Sequence, residues 1–108
     1  MPGQVVWVHL SPVRGREHDG HPPALVISGS NFLSLATTLV SVLPITTVDR
    51  GWPNHVLIGS ALAQDSWAMT EQIRTISRER ITRTGKTVSA DTLTEIRHWI
   101  IDLLDLDA

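Results

Sequence analysis

Two polar stretches of this chain hold residue types suited to handling a phosphate or a proton. The loop Arg14-Gly-Arg-Glu-His-Asp-Gly20, running into His21, gathers cations, acids and imidazoles between two glycines, and the hydroxyl pair Thr46-Thr47 closes an apolar run downstream. Loops held on a rigid scaffold are where binding groups usually sit. His18 and His21, with Glu17 and Asp19 beside them, resemble a metal-ligand cluster in composition only, because nothing places this loop on a helix that would turn both rings to one side. No metal is expected. A third polar region lies between Arg74 and Lys86, where Arg74, Arg78, Arg80, Arg83 and Lys86 face a single acid, Glu79, so that the segment is +4 in a chain of net charge −2. It reads either as a phosphate-binding surface or as a solvated loop and helix face, and charge alone does not decide.

The elements that must position these groups are short. His21 to Ser28 and Thr38 to Thr47 are apolar and β-branched runs bounded by Gly, Pro, Ser and Asn, which predicts two central strands with the polar loop entering the first and the hydroxyls ending the second. Pro44 inside the longer run predicts an edge or a bulge. Gln4 to Leu10 predicts the opening strand, with Val5, Trp7 and His9 on one face and Val6, Val8 and Leu10 on the other. Both faces are apolar, so the strand belongs to a closed barrel or is covered on both sides. His9 reads as structural. Gly29 to Leu33 predicts a turn with a short helix, and Val48 to Pro53 a turn that pairs the second run with His55 to Ile58 as a long hairpin. Ser66 to Ile76 predicts one or two further strands broken at Glu71-Gln72. The period then changes: Ser89 is an N-cap candidate, and Leu93, Ile96, Ile100, Leu103 and Leu104 recur at helical spacing, with Trp99 and Ile101 widening the stripe. Part of that stripe is expected to pack on the barrel and part on a second subunit. Asp102, Asp105 and Asp107 read as a solvated end.

Length and composition limit the whole. At 108 residues the chain is read as one domain, 1–108. It has no cysteine, which removes disulfide frameworks and thiolate zinc sites. Met1-Pro-Gly-Gln has no basic leader, and no apolar run approaches the roughly 18 residues of a membrane span. A soluble, cytoplasmic protein is expected.

Taken in order, Val-Trp-Val-His-Leu-Ser-Pro-Val-Arg-Gly-Arg-Glu (6 to 17), Pro-Ala-Leu-Val-Ile-Ser (23 to 28), Leu-Pro-Ile-Thr-Thr (43 to 47), Gly-Trp-Pro-Asn-His-Val (51 to 56), Asp65-Ser66 and Glu-Gln-Ile-Arg-Thr-Ile (71 to 76) resemble the MazF/PemK family of toxin endoribonucleases. Single pieces are weak; the ordered set, with matching gaps and a C-terminal helix after Val88-Ser89, spans nearly the whole chain. The resemblance implies a mainly β fold with a C-terminal α-helix, a small SH3-like barrel of the CcdB/MazF type, acting as a homodimer. It further implies metal-independent cleavage of single-stranded RNA at short sequences, leaving a 2′,3′-cyclic phosphate and a 5′-hydroxyl, and silencing by a cognate antitoxin whose disordered tail wraps the dimer. No cofactor is implied.

Cleavage by the neighbouring 2′-hydroxyl needs an acceptor for its proton, a proton for the leaving 5′-oxygen, and donors for the charge gathering on the phosphate. By resemblance the threonine of the Pro-Ile-Thr motif is Thr46; a strand-end threonine bonded to its own backbone is the plainer reading. The family's catalytic arginine stands immediately before the proline of Arg-Pro-Ala-Leu-Val. Here that proline is Pro23, so the arginine position holds Pro22, which has no charge and no donor. Little or no RNase activity is expected. Three accounts stay open: an inactivating substitution, a substitute among Arg14, Arg16 and His21 on the adjoining loop, or a barrel that binds antitoxin, RNA or another partner without cutting. Lesser RNA-binding candidates are Arg14, Arg16, Glu17, His21, Ser28, Asn31, Arg50 and Gln72, with donors reading bases and cations meeting phosphates. For each, the plainer reading is an ordinary solvated residue. Glu71 and Arg74 read as a structural ion pair or part of the site wall, and Trp7 and Trp52 as packing or as stacking platforms.

Overall fold

The computed structural model describes residues 2–9, 21–59 and 62–105. The opening run forms β1 (Gln4–Val8), and its alternation sends side chains into two separate apolar clusters. Val5 joins one with Leu25, Leu43 and Ile96; Val6 and Val8 join the other with Ala24, Val26, Val40 and Val42. The strand is therefore covered on both sides, as its two apolar faces predict.

The remaining elements are β2 (Pro23–Val26), α1 (Ser30–Leu35), β3 (Leu39–Thr46), β4 (His55–Leu57), β5 (Trp67–Met69), β6 (Arg74–Ser77), β7 (Ile81–Thr87) and α2 (Ala90–Leu104). All strand pairs are antiparallel, in the order β4-β5-β3-β2-β1-β7, with β6 also on β3. Among the described residues the path has two free ends, β4 and β7, so the sheet curls into a small SH3-like barrel without closing there.

β3 is the centre of this arrangement. Val42 sits between Val26 of β2 and Arg74 of β6; beyond it, Ile45 and Thr46 pair with β5. Pro44 reads in the sequence as an edge or bulge, but it stands opposite Ala24 in a strand paired on both sides. It is tolerated because it falls where pairing to β6 has stopped at Val42 and pairing to β5 has not begun before Ile45, a gap in which a missing N–H strands no acceptor. The expected β3–β4 hairpin is also corrected: β5 lies between them, and β4 pairs only with β5 among the described residues.

The basic segment forms no helix face. Arg74–Ser77 is β6, Arg78–Arg80 a 3-10 turn, and Ile81–Thr87 the edge strand β7, along which Arg83 and Lys86 are exposed. Cations along an open edge discourage pairing with another chain. Arg78 is structural. Its Nη2 donates to the carbonyls of Leu33, Ala36 and Leu39 at 2.9, 2.8 and 2.9 Å, and its Nε to Leu39 at 3.2 Å. α1 is six residues long and has no basic residue in its last turn, so Arg78 neutralises its carbonyl end from across the sheet. Arg78→Ala is expected to cost about 1–3 kcal/mol by stranding these carbonyls, and lysine to recover only part, lacking the guanidinium fork. Urea unfolding of the three proteins measures it; an unchanged midpoint for alanine would refute it.

α2 begins at Ser89, whose Oγ accepts the Thr92 N–H at 3.1 Å, the expected cap. Ile96 is fully buried, and Leu93, Trp99 and Ile100 pack on the same cluster. Leu103 and Leu104, the last of the predicted stripe, are instead half exposed. Gly3, at φ +92°, donates its N–H to Val26 and accepts from Val88, tying the chain start to β2 and to the entry of α2.

Candidate functional site

The β2–β3 register brings the two residues singled out by the resemblance together. Ala24 pairs with Pro44, Leu25 with Leu43 and Val26 with Val42; extending this by two residues sets position 22 opposite Thr46. Alternation then turns Pro22, Ala24, Val26, Val42 and Pro44 to one face, that of the second apolar cluster. Pro22 is exposed at the strand entry, where its carbonyl accepts the Val8 N–H at 2.9 Å.

A cavity of about 250 Å³ opens on that face. Its floor is apolar, with Val8, Pro22, Pro23 and Pro44, and Arg74, Arg80 and His9 stand around it. Arg80 is held by donating Nη1 to the His9 carbonyl at 3.2 Å, and the His9 N–H returns a bond to the Arg80 carbonyl at 2.7 Å. The His9 imidazole meets Thr82 Oγ1 at 2.6 Å and lies 3.9 Å, centroid to centroid, from the ring of His21. Thr46 lies just beyond the wall residues Pro44 and Ile45. Its Oγ1 accepts the Val48 N–H at 3.1 Å, the strand-end bond read as the plainer alternative, and this leaves its own O–H free to donate.

The other sequence candidates are scattered. Arg14, Arg16 and Glu17 lie outside the described residues, as do His18, Asp19 and Asp107. Ser28 is buried, and its hydroxyl accepts the Ser41 N–H at 2.6 Å, joining the end of β2 to β3 rather than facing a groove. Asn31 is exposed in α1. The Arg50 guanidinium lies 5.9 Å from the Trp52 ring centroid, and Gln72 donates to Glu71 at 3.3 Å. Trp52 and Trp7, read as packing or as stacking platforms, are 49% and 36% exposed, so their faces reach the surface.

The Glu71–Arg74 ion pair does not form. Glu71 accepts from Nε2 of buried His55 at 3.1 Å to both oxygens and from Asn54 at 2.9 Å. Asn54 also reaches Thr70, and Thr70 donates back to the Asn54 carbonyl at 2.8 Å. The network ties the start of β4 to the end of β5. Burial pushes the Glu71 carboxyl up, but the bonds from His55, its own backbone and Gln72, together with the His55 charge, outweigh this and hold it below its ordinary range. A depressed carboxylate contributes stability that is present above its unfolded pKa and lost as pH falls through the folded one. Glu71→Gln is therefore expected to cost about 1–2 kcal/mol at pH 7 and almost nothing once the pH is below both values. Urea unfolding from pH 7 to acid tests it; a deficit constant with pH would refute it. Among the described residues no group of three or more His, Asp or Glu stands close enough to hold a metal.

A curled antiparallel sheet with one C-terminal helix, bearing a cleft flanked by Arg74 and Arg80, defines a small SH3-like β-barrel. The chain belongs to the family described as PemK-like, MazF-like toxins of type II toxin-antitoxin systems, which matches residues 1–104. It is 34% identical over 112 residues to Endoribonuclease MazF9 of Mycobacterium tuberculosis, covering 96% of this chain and 95% of that one. With Endoribonuclease EndoA of Bacillus subtilis it shares 32% over 109 residues, 95% of this chain and 85% of the relative. The MazF fold of the Deinococcus radiodurans MazE-MazF crystal structure superposes with a TM-score of 0.78 at 27% identity, covering 96% of this chain and 94% of that one.

Proposed function

We propose that the chain, as one domain over residues 1–108, is the toxin of a type II toxin-antitoxin system: a metal-independent, sequence-selective endoribonuclease of single-stranded RNA, slowed by Pro22. The observation that carries this is the β2–β3 register, whose extension by two residues from Ala24 and Pro44 sets Thr46 opposite position 22, with Pro22 itself lining a cleft flanked by Arg74 and Arg80. In this reading the ribose 2′-hydroxyl gives up its proton to solvent as its oxygen attacks phosphorus, the bond from phosphorus to the 5′-oxygen breaks, and that oxygen takes up a proton from solvent, so that no proton is gained or lost overall. The products are a 2′,3′-cyclic phosphate and a 5′-hydroxyl. The free O–H of Thr46 donates to a non-bridging oxygen as charge gathers there.

The working protein is a cytoplasmic homodimer. Half-exposed Leu103 and Leu104 support a second subunit, as do Phe32, Leu35 and Leu39 around α1. A cognate antitoxin is the natural partner, supported by the MazE-MazF complex among the structural relatives. No helix of the described residues is long and apolar enough to cross a membrane. The second reading, a barrel that binds antitoxin or RNA without cutting, is favoured by Pro22 itself.

The test is incubation of a long single-stranded RNA with this protein and with its Pro22→Arg variant, in EDTA, with the ends of the fragments analysed. Cyclic phosphate ends from the variant support the endoribonuclease. No cleavage by either, with both folded and dimeric, would transfer the assignment to binding alone.

A further inference from the structure

We propose that Arg74 stands in for the arginine missing at position 22, its guanidinium holding the phosphate under attack, so that the residual cleavage of this chain runs through β6 rather than β2. The inference rests on the endoribonuclease reading above.

Three observations carry it. First, Arg74 lines the same cavity as Pro22, and both are exposed. The register sets Arg74 beside Val42, across β3 from Val26, so its side chain belongs to the face that Pro22 and Thr46 share.

Second, the Arg74 guanidinium has no partner among the described residues. Of the two arginines lining the cavity, Arg80 is bound to the His9 carbonyl, whereas the Arg74 side chain makes no hydrogen bond or ion pair among the described residues. The acid three residues before it, Glu71, is held by His55 and Asn54 and does not neutralise it.

Third, the cleft has few other donors. Pro22, Pro23 and Pro44 bring neither N–H nor charge, so an anion resting on this floor must take its donors from the rim. A guanidinium presents two parallel N–H bonds to two phosphate oxygens, and apolar surroundings strengthen that contact relative to water. Arg74 transfers no proton in this scheme. It balances the negative charge that grows on the non-bridging oxygens while the bond to the 5′-oxygen breaks.

Four proteins decide it: the chain itself, Arg74→Ala, Pro22→Arg, and Pro22→Arg with Arg74→Ala. Initial rates on one single-stranded RNA in EDTA are compared, with thermal melts showing that all four are folded. The expected result is slow cleavage by the chain, a loss of about a hundredfold or more in Arg74→Ala, and recovery well above that variant in the double mutant. An Arg74→Lys protein should fall between the chain and the alanine variant, retaining the charge and losing the paired bonds. Equal rates for the chain and Arg74→Ala would overturn the role of Arg74 and leave the endoribonuclease standing. Cleavage by Pro22→Arg alone, with none by the chain, would likewise overturn it, because no substitute would then be at work. No cleavage even by Pro22→Arg would remove the endoribonuclease reading, and the inference with it.

Discussion

Pro22→Arg is expected to raise RNA cleavage by about a hundred- to a thousandfold, the usual consequence of supplying or removing one donor aimed at the charge of the transition state. The geometry makes the substitution a gain of one group with little else disturbed. Pro22 is exposed, its contribution to the sheet is a carbonyl that any residue provides, and Pro23 after it keeps position 22 extended. The new side chain leaves the strand on the cleft face, opposite Thr46. Loss of a proline frees the unfolded chain and costs about 0.4–1 kcal/mol, too little to unfold a domain of ordinary stability. Single-turnover rates on a fixed RNA, with melting curves beside them, measure the change. A rise below tenfold in a folded dimer would mean that position 22 is not where the charge is needed.

Ile96→Ala is expected to destabilise the protein by about 2–5 kcal/mol. Ile96 is the one fully buried residue of α2 and meets the cluster built from Val5, Leu25 and Leu43, one residue from each of the three central strands. Its neighbours are anchored in strands and cannot close the void, which places the cost toward the upper part of that range. Leu104→Ala, on the half-exposed end of the same helix, should be close to neutral in the monomer. Urea unfolding of both gives the comparison, and equal losses would show that the helix is not seated through Ile96.

How far the sequence reveals all this depends on whether a residue's partner is near in the chain or carries a pattern. β1, β2, β3 and α2 are legible because apolar residues at period two or 3.6 leave an imprint on composition. β7 is not, since Ile81-Thr-Arg-Thr-Gly-Lys-Thr87 is polar on both faces, as suits an edge, and looks like a loop until β1 pairs with it. Pro44 misleads for a related reason: the break between two partner strands that accommodates it exists only in the folded sheet. The site shows the same division. Thr46 and position 22 are visible through linear motifs, and the place of Arg74 on the cleft, unpaired among the described residues, is hidden, because the sequence gives no sign that Glu71 is bound to His55 or that β6 lies against β3.

The pairing of β1 with β7 joins residues at opposite ends of the chain, Gln4 to Thr87, and Gly3 to Val88. Such distant contacts make for slow folding, since a long loop must close before any of them is rewarded. During synthesis β1 can pair with β2 soon after both are made, but its other neighbour, β7, follows only after β3, β4, β5 and β6. The cleft draws its walls from Val8 through Arg80, so a nascent fragment that stops before β6 holds neither Arg74 nor Arg80 and has no cleft to close. The cleft therefore cannot assemble before residue 80 has been made.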